Sequence, residues 1–141
     1  MEKRFIYTEK DLLLIISEVL ALMKGISVIT LEGSLGAGKT SFAKALLKKL
    51  GVQDEVLSPT FTYVNPYQGD NGLKVYHFDL YRLDSEEDFV DFGFGEYLYQ
   101  DNSLTLIEWP EVIDSLLKEG VLRLKFDYEG VDKRTLTVLK G

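Results

Sequence analysis

Cysteine is absent from the 141 residues, which excludes disulfides, zinc-thiolate centres and thiol nucleophiles. Apolar runs long enough to cross a bilayer are missing too, and the start Met1-Glu2-Lys3-Arg4-Phe5-Ile6-Tyr7 lacks the apolar core of a signal peptide. A cytoplasmic protein with no membrane partner is therefore expected. Positive charge is in short supply: 16 basic residues face 23 acidic ones, a net charge of −7. Gripping nucleic acid directly needs a basic face that neutralises phosphates, so that function class is set aside. Linkers, internal repeats and low-complexity segments are also missing, and residues 1–141 read as a single domain. That length supports a real core but not a nucleotide-binding domain joined to a large substrate domain. The 45% hydrophobic and 28% charged residues are ordinary for a globular chain.

What is present is concentrated in Gly33-Ser34-Leu35-Gly36-Ala37-Gly38-Lys39-Thr40, a full match to the G-x-x-x-x-G-K-[ST] phosphate-binding loop. It follows the apolar run Ile26 to Leu31 and precedes the helical pattern Ser41 to Leu47, the strand-loop-helix context in which such a loop works. Its glycines let successive N–H groups turn inward around phosphate oxygens. Lys39 reaches the β- and γ-phosphates as a point charge, and the Thr40 hydroxyl binds the bridging Mg²⁺. The helix start adds unpaired N–H groups and the positive end of its dipole.

Around the loop, Thr8 with Asp11 three residues on signals a helix start, followed by apolar residues from Leu12 to Met23 and a stop at Gly25. Runs Phe61 to Tyr67 and Leu73 to Phe78 flank Gln68-Gly69-Asp70-Asn71-Gly72 and read as a hairpin. Ser103 to Trp109 is an apolar strand closed by Pro110, and Glu111 to Glu119 a short helix ended by Gly120. Val121 to Phe126 and Arg134 to Val138 alternate apolar and polar, a second hairpin with one wet face. The expected architecture is an α/β, P-loop NTPase-like three-layer sandwich with a mixed, mostly parallel central sheet and antiparallel hairpins.

A nucleotide-hydrolysing site also needs an acid near Mg²⁺, and two strand ends offer one: Asp79 after Val75-Tyr76-His77-Phe78, and Glu108 after Leu104-Thr105-Leu106-Ile107. Ser58-Pro59-Thr60 places hydroxyls on a stiffened loop that contacts with a γ-phosphate could order, or forms a plain turn. His77, the only histidine, reads as a packed or hydrogen-bonded residue rather than a proton shuttle. Arg82 reads as a partner of Asp84 or Glu86, with transition-state charge as the alternative. The run Asp84-Ser85-Glu86-Glu87-Asp88 is a solvated helix start, or else a docking patch for a basic partner. The tyrosines at 63, 76, 81, 97 and 99 read as packing rather than a base-stacking platform.

Four blocks in order, the phosphate loop, Ser58-Pro59-Thr60-Phe61, His77-Phe78-Asp79-Leu80-Tyr81-Arg82-Leu83 and Ile107-Glu108-Trp109-Pro110-Glu111, closely resemble the TsaE (YjeE) family of small bacterial P-loop ATPases over nearly the whole chain. The resemblance implies a role in threonylcarbamoyl modification of tRNA, with TsaD and TsaB as partners, tRNA met only through that complex, and ATP hydrolysis supporting turnover. It implies ATP or ADP and Mg²⁺ as cofactors, with a nucleotide-binding set running from Gly33 through Ser34, Leu35, Gly36, Ala37, Gly38, Lys39 and Thr40 to Ser41. Glu108 is then a Mg²⁺ or water-positioning acid, Asp79 a further active-site acid, Thr60 a switch-like contact and Trp109 a functional neighbour. Thr8 and Arg134 approach the base, although Thr8 also reads as a helix cap and Arg134 as a surface strand residue. Rival readings are a small-molecule kinase, for which no lid or acceptor insertion is visible, a GTPase, for which no Asn-Lys-x-Asp motif occurs, and a scaffold in which hydrolysis is incidental.

Overall fold

The structure, a computed structural model, describes residues 1–34, 36–59 and 62–141. Among these, seven strands form one sheet: β1 (Glu2–Tyr7), β2 (Val28–Glu32), β3 (Val64–Gln68), β4 (Lys74–Asp79), β5 (Ser103–Glu108), β6 (Val121–Glu129) and β7 (Lys133–Lys140). Their spatial order is β1-β7-β6-β2-β5-β4-β3. The central pairings β6–β2, β2–β5 and β5–β4 are parallel, and the flanking β1–β7, β7–β6 and β4–β3 are antiparallel. The sheet is mixed as expected, with its parallel part confined to the centre and as many antiparallel as parallel pairings. The described residues contain no helix long and apolar enough to cross a membrane.

Helices cover both faces of the centre. Helix α1 (Leu12–Leu22) and α2 (Lys39–Lys49) lie on one side, where Ile16, Val19, Phe42, Leu46 and Leu47 meet Ile29, Leu31, Leu106 and Leu124. Helix α3 (Glu86–Asp91) and the 3₁₀ turns Phe94–Tyr97 and Pro110–Leu116 cover the other, with Phe78, Phe89, Ile107 and Ile113 at its core. Strands β2 and β5 read as nearly continuous apolar runs because both their faces are covered. Phe42, Phe78 and Phe89 are fully buried, each contributing about 1.5–3 kcal/mol of transfer free energy. The β6–β7 wing is covered on one face only, the wet face expected from its alternation, where Arg4, Lys125, Asp127 and Thr137 border a shallow hollow.

Three local details differ from the sequence reading. Glu2–Tyr7 supply β1, whose only partner strand among the described residues is the C-terminal β7, so nothing local announces it. At the Thr8 cap, the Thr8 N–H and hydroxyl both donate to Asp11 Oδ2 at 3.3 and 3.1 Å, but the first turn, Glu9–Asp11, is 3₁₀ and α1 begins at Leu12. The helix expected over Glu111 to Glu119 is a 3₁₀ segment, Pro110–Leu116, broken at Ile113 (φ −119°, ψ 16°). The acidic run does start a helix: Ser85 Oγ accepts from the Asp88 N–H at 3.1 Å, and Glu86, Glu87 and Asp88 occupy the first turn, where the helix dipole favours negative charge.

Candidate nucleotide-binding site

In a parallel sheet ligands bind beyond the carboxyl ends of the strands, and the register brings three such ends together here. Leu31 of β2 and Asp79 of β4 both stand opposite Glu108 of β5. Side chains alternate along a strand, so the core residues Val75 on β4 and Leu104 and Leu106 on β5, which pack on the α2 face, put Asp79 and Glu108 on that face too. That face carries the phosphate loop, which follows β2 directly and enters α2 at Lys39.

Close packing fixes the loop. Gly33 has φ +143°, and a Cβ there would sit 2.5 Å from the Phe126 carbonyl oxygen of β6. No other residue fits that approach without moving backbone. The Ala37 N–H donates to the Ser34 carbonyl at 3.1 Å, and Phe42 N–H to the Gly38 carbonyl at 3.0 Å opens α2. Two residues of the β6–β7 hairpin cover the loop from outside. The Tyr128 hydroxyl donates to the Gly36 carbonyl, and the Arg134 side chain lies against Gly38.

Lys39 is 5% exposed. Its Nζ donates to the Gly33 carbonyl at 2.5 Å and lies 3.8 Å above the centre of the Trp109 ring, a cation–π contact. Trp109 itself adopts φ 58°, ψ 57°, a left-handed conformation that bulky residues rarely take, and its ring packs on Tyr81 at 4.9 Å. Strain of this kind concentrates at ligand sites. A cavity of about 250 Å³ is lined by Gly36, Gly38, Lys39, Thr40, Ser41, Ser58, Asp79, Glu108, Trp109 and Arg134. That is below the roughly 300–1,000 Å³ of pockets that enclose a whole small-molecule ligand. Across Arg134 a second hollow, about 480 Å³, is bordered by Thr8, Glu9, Lys10, Val131 and Asp132.

Burial and close opposite charges set the electrostatics of this cavity. Burial pushes the Lys39 ammonium below its ordinary pKa, against the opposite pull of Glu108, Asp79 and Glu111. Burial also raises the Asp79 carboxyl, and the neighbouring Glu108 charge adds to that. The Tyr81 N–H, which donates to Asp79 Oδ1 at 3.0 Å, works the other way, as do His77 and Lys39. The donor set suits Mg²⁺: the Thr40 and Ser58 hydroxyls lie 3.5 Å apart in the same cavity as both carboxylates. No group of three or more His, Cys, Asp or Glu among the described residues could hold a metal unaided. Phosphate oxygens would therefore complete the coordination, as Mg²⁺ prefers.

Of the residues singled out in the sequence, Gly36, Gly38, Lys39, Thr40, Ser41, Asp79, Glu108, Trp109 and Arg134 line one cavity, and Gly33 joins through its carbonyl. Ser34 and Ala37 contribute backbone to the loop, with Ala37 buried. Thr8 stands apart, in the neighbouring hollow that Arg134 shares. Leu35 and Thr60 lie outside the described residues. Sequence reasoning missed Tyr128 and Glu9, which pairs with Arg134, because both contacts depend on the placement of the distant hairpin.

Comparison with known proteins places the chain in a family. The family model described as "Threonylcarbamoyl adenosine biosynthesis protein TsaE" matches residues 6–136. A relative from Treponema pallidum (strain Nichols), named tRNA threonylcarbamoyladenosine biosynthesis protein TsaE, is 43% identical over 112 residues, 79% of this chain and 81% of that protein. One of the same name from Bacillus subtilis (strain 168) is 40% identical over 110 residues, 78% of this chain and 67% of that protein. A solved structure titled "Crystal structure of Bacillus subtilus YdiB" superposes with a TM-score of 0.67 at 28% identity, covering 100% of this chain and 87% of that one.

Proposed function

The chain belongs to the TsaE family, whose role is tRNA threonylcarbamoyladenosine biosynthesis, and on that premise we propose that it serves there as a Mg²⁺-dependent ATPase. The observation that carries the reading is the meeting of the phosphate loop, the Lys39 ammonium and two carboxylates from different strands in one cavity. Gly36 to Ser41 cradle the phosphates of ATP or ADP, and Lys39 leaves the Gly33 carbonyl and the Trp109 ring to meet them. Thr40, with Glu108 and Asp79, would hold Mg²⁺, which when bound neutralises charge on the β- and γ-phosphates. Glu108, at the end of β5, orients the attacking water and accepts its proton as the new bond to the γ-phosphorus forms and the bond from that phosphorus to the β,γ-bridging oxygen breaks, so that ADP and inorganic phosphate leave. Thr8 and Arg134 receive the base side, and Thr60 supplies a switch-like contact.

The reading includes a single domain over residues 1–141, a cytoplasmic setting and the TsaB–TsaD pair as partners, with tRNA met only through that complex. Hydrolysis supports the pair's turnover and is slow in the isolated chain, because positioning supplies most of the catalysis of phosphoryl transfer. Phosphate release measured with and without TsaB and TsaD, for the wild type and Glu108→Gln, tests it. Expected is a several-fold rise on adding the pair, and a loss in Glu108→Gln that affects hydrolysis more than nucleotide binding. Label passing to an added acceptor would establish a kinase instead. An unchanged rate in a formed complex would leave only the scaffold reading.

A further inference from the structure

His77 and Glu108 stand on neighbouring parallel strands, and the register sets His77 opposite Leu106, two residues before Glu108. Alternation places both side chains on the α2 face. His77 is 0% and Glu108 3% exposed, and the imidazole Nε2 lies 2.6 Å from Glu108 Oε2. The ring's other nitrogen, Nδ1, is buried and has no hydrogen-bond partner among the described residues. The polar tie of this ring is therefore to Glu108. His77 does not line the cavity that Glu108 lines, so it stands behind the carboxylate and out of reach of a ligand.

We propose that His77 is a positioning residue whose Nε2–H fixes one oxygen of Glu108 and so presents the carboxylate to the cavity. The inference rests on the role given to Glu108 above. A glutamate has three side-chain torsions, and this one lies between a repelling carboxylate, Asp79, and an attracting ammonium, Lys39. Without an anchor it would swing toward Lys39 and away from Asp79, leaving the place where both acids serve one cation. A charge-assisted hydrogen bond inside a low-dielectric core holds it against those forces. With one oxygen committed to the ring, the carboxylate has its other oxygen for the cavity. Partners of this kind, which hold a metal-binding group without touching the metal, commonly contribute about 10–100-fold to metal affinity.

The test compares wild type, His77→Phe, His77→Gln and Glu108→Gln by calorimetric titration with a non-hydrolysable ATP analogue, in EDTA and in Mg²⁺. Expected is an unchanged affinity in EDTA and, in His77→Phe, a gain on adding Mg²⁺ that is smaller by about tenfold. His77→Gln, whose amide can donate from near the Nε2 position, recovers most of that gain. An undiminished gain in His77→Phe beside a lost one in Glu108→Gln overturns the positioning role alone. An undiminished gain in Glu108→Gln overturns the metal-binding reading of Glu108 on which the proposal rests. Equal losses in His77→Phe and His77→Gln reduce His77 to packing and also overturn it. Nitrogen NMR of the nucleotide-free protein decides the matter should His77→Phe fail to fold. The Nε2–H resonance is expected in wild type and displaced in Glu108→Gln, and a resonance indifferent to that change refutes the hydrogen bond.

Discussion

Gly33→Ala is expected to be the most damaging single-methyl change in the loop. The new Cβ would lie 2.5 Å from the Phe126 carbonyl oxygen, 3.2 Å from its Cβ, and on a backbone with φ +143°. Holding a residue other than glycine in such a region costs about 1–3 kcal/mol. The overlap is with backbone, and β6 cannot retreat without stretching its ladder to β2, in which Leu124 opposes Leu31 and Lys125 opposes Glu32. Phe126 is also held by Phe42 of α2 in an edge-on ring contact at 5.2 Å. Forced overpacking of that kind adds about 1–3 kcal/mol. At about 2–4 °C per kcal/mol for a domain somewhat larger than this one, the combined effect is a Tm lower by roughly 5–20 °C. Gly25→Ala is the control, because Gly25 has φ +79° but nothing within 4 Å of its Cβ position. It should show the backbone strain without the clash. The readout is thermal unfolding by circular dichroism without nucleotide, followed by calorimetry of ATP binding, since the Gly33 carbonyl also receives Lys39. A Gly33→Ala protein that melts no lower than Gly25→Ala would refute the argument from close packing.

Lys39→Ala removes the ammonium held beside the phosphate cradle, and ATP affinity should fall by about 1.5–3 kcal/mol, roughly tenfold to a hundredfold; wild-type affinity by calorimetry would remove the basis of the nucleotide reading. Trp109 is the one tryptophan and carries Lys39 Nζ at 3.8 Å from its ring centre, so Mg²⁺ and ATP should change its fluorescence, and Lys39→Ala should change it without ligand. A flat titration where calorimetry records binding contradicts that. Asp79 has a folded-state pKa raised chiefly by burial, so its ionised form opposes folding above that value and the opposition fades as the pH falls through it. Asp79→Asn keeps an acceptor for the Tyr81 N–H and removes the charge. The nucleotide-free variant should therefore melt higher than wild type at neutral pH, with the gap closing in acid; a gap that widens in acid reverses the sign and sinks the reasoning.

What was legible in the sequence was local. The loop between β2 and α2 announces itself through residue types at fixed spacing, and the apolar run ending in Glu108 reads as a covered strand because both its faces are buried. The hairpin of β3 and β4 followed from its turn residues. Asp79 and Glu108 could each be placed at a strand end, but their adjacency is a matter of register, which no local pattern states. His77 is buried and hydrogen-bonded, as its sequence setting suggested, but that its partner is Glu108 again follows only from the register of β4 against β5. Helix propensity misread the residues after Pro110, where Trp109 in a left-handed conformation and the break at Ile113 hold the chain in 3₁₀ turns. β1 was missed because its ladder partner lies at the other end of the chain.

The two halves of the sheet contribute different groups around the phosphate loop. The parallel centre delivers groups from strand ends, Asp79 and Glu108 beside the loop, which suits chemistry at the terminal phosphate. The antiparallel wing reaches over the outside of the loop with Tyr128 on the Gly36 carbonyl and Arg134 against Gly38. Arg134 is in turn paired with Glu9, just after β1, and its Nε is buried without a hydrogen-bond partner among the described residues. Because β1 closes the wing through β7, the first residues of the chain are tied to the phosphate loop through that arginine. A guanidinium with an unused donor between two adjoining hollows is where a nucleotide spanning both would have to pass. Taking that donor up would connect the phosphate cradle to the edge of the sheet through side chains that share no sequence neighbourhood.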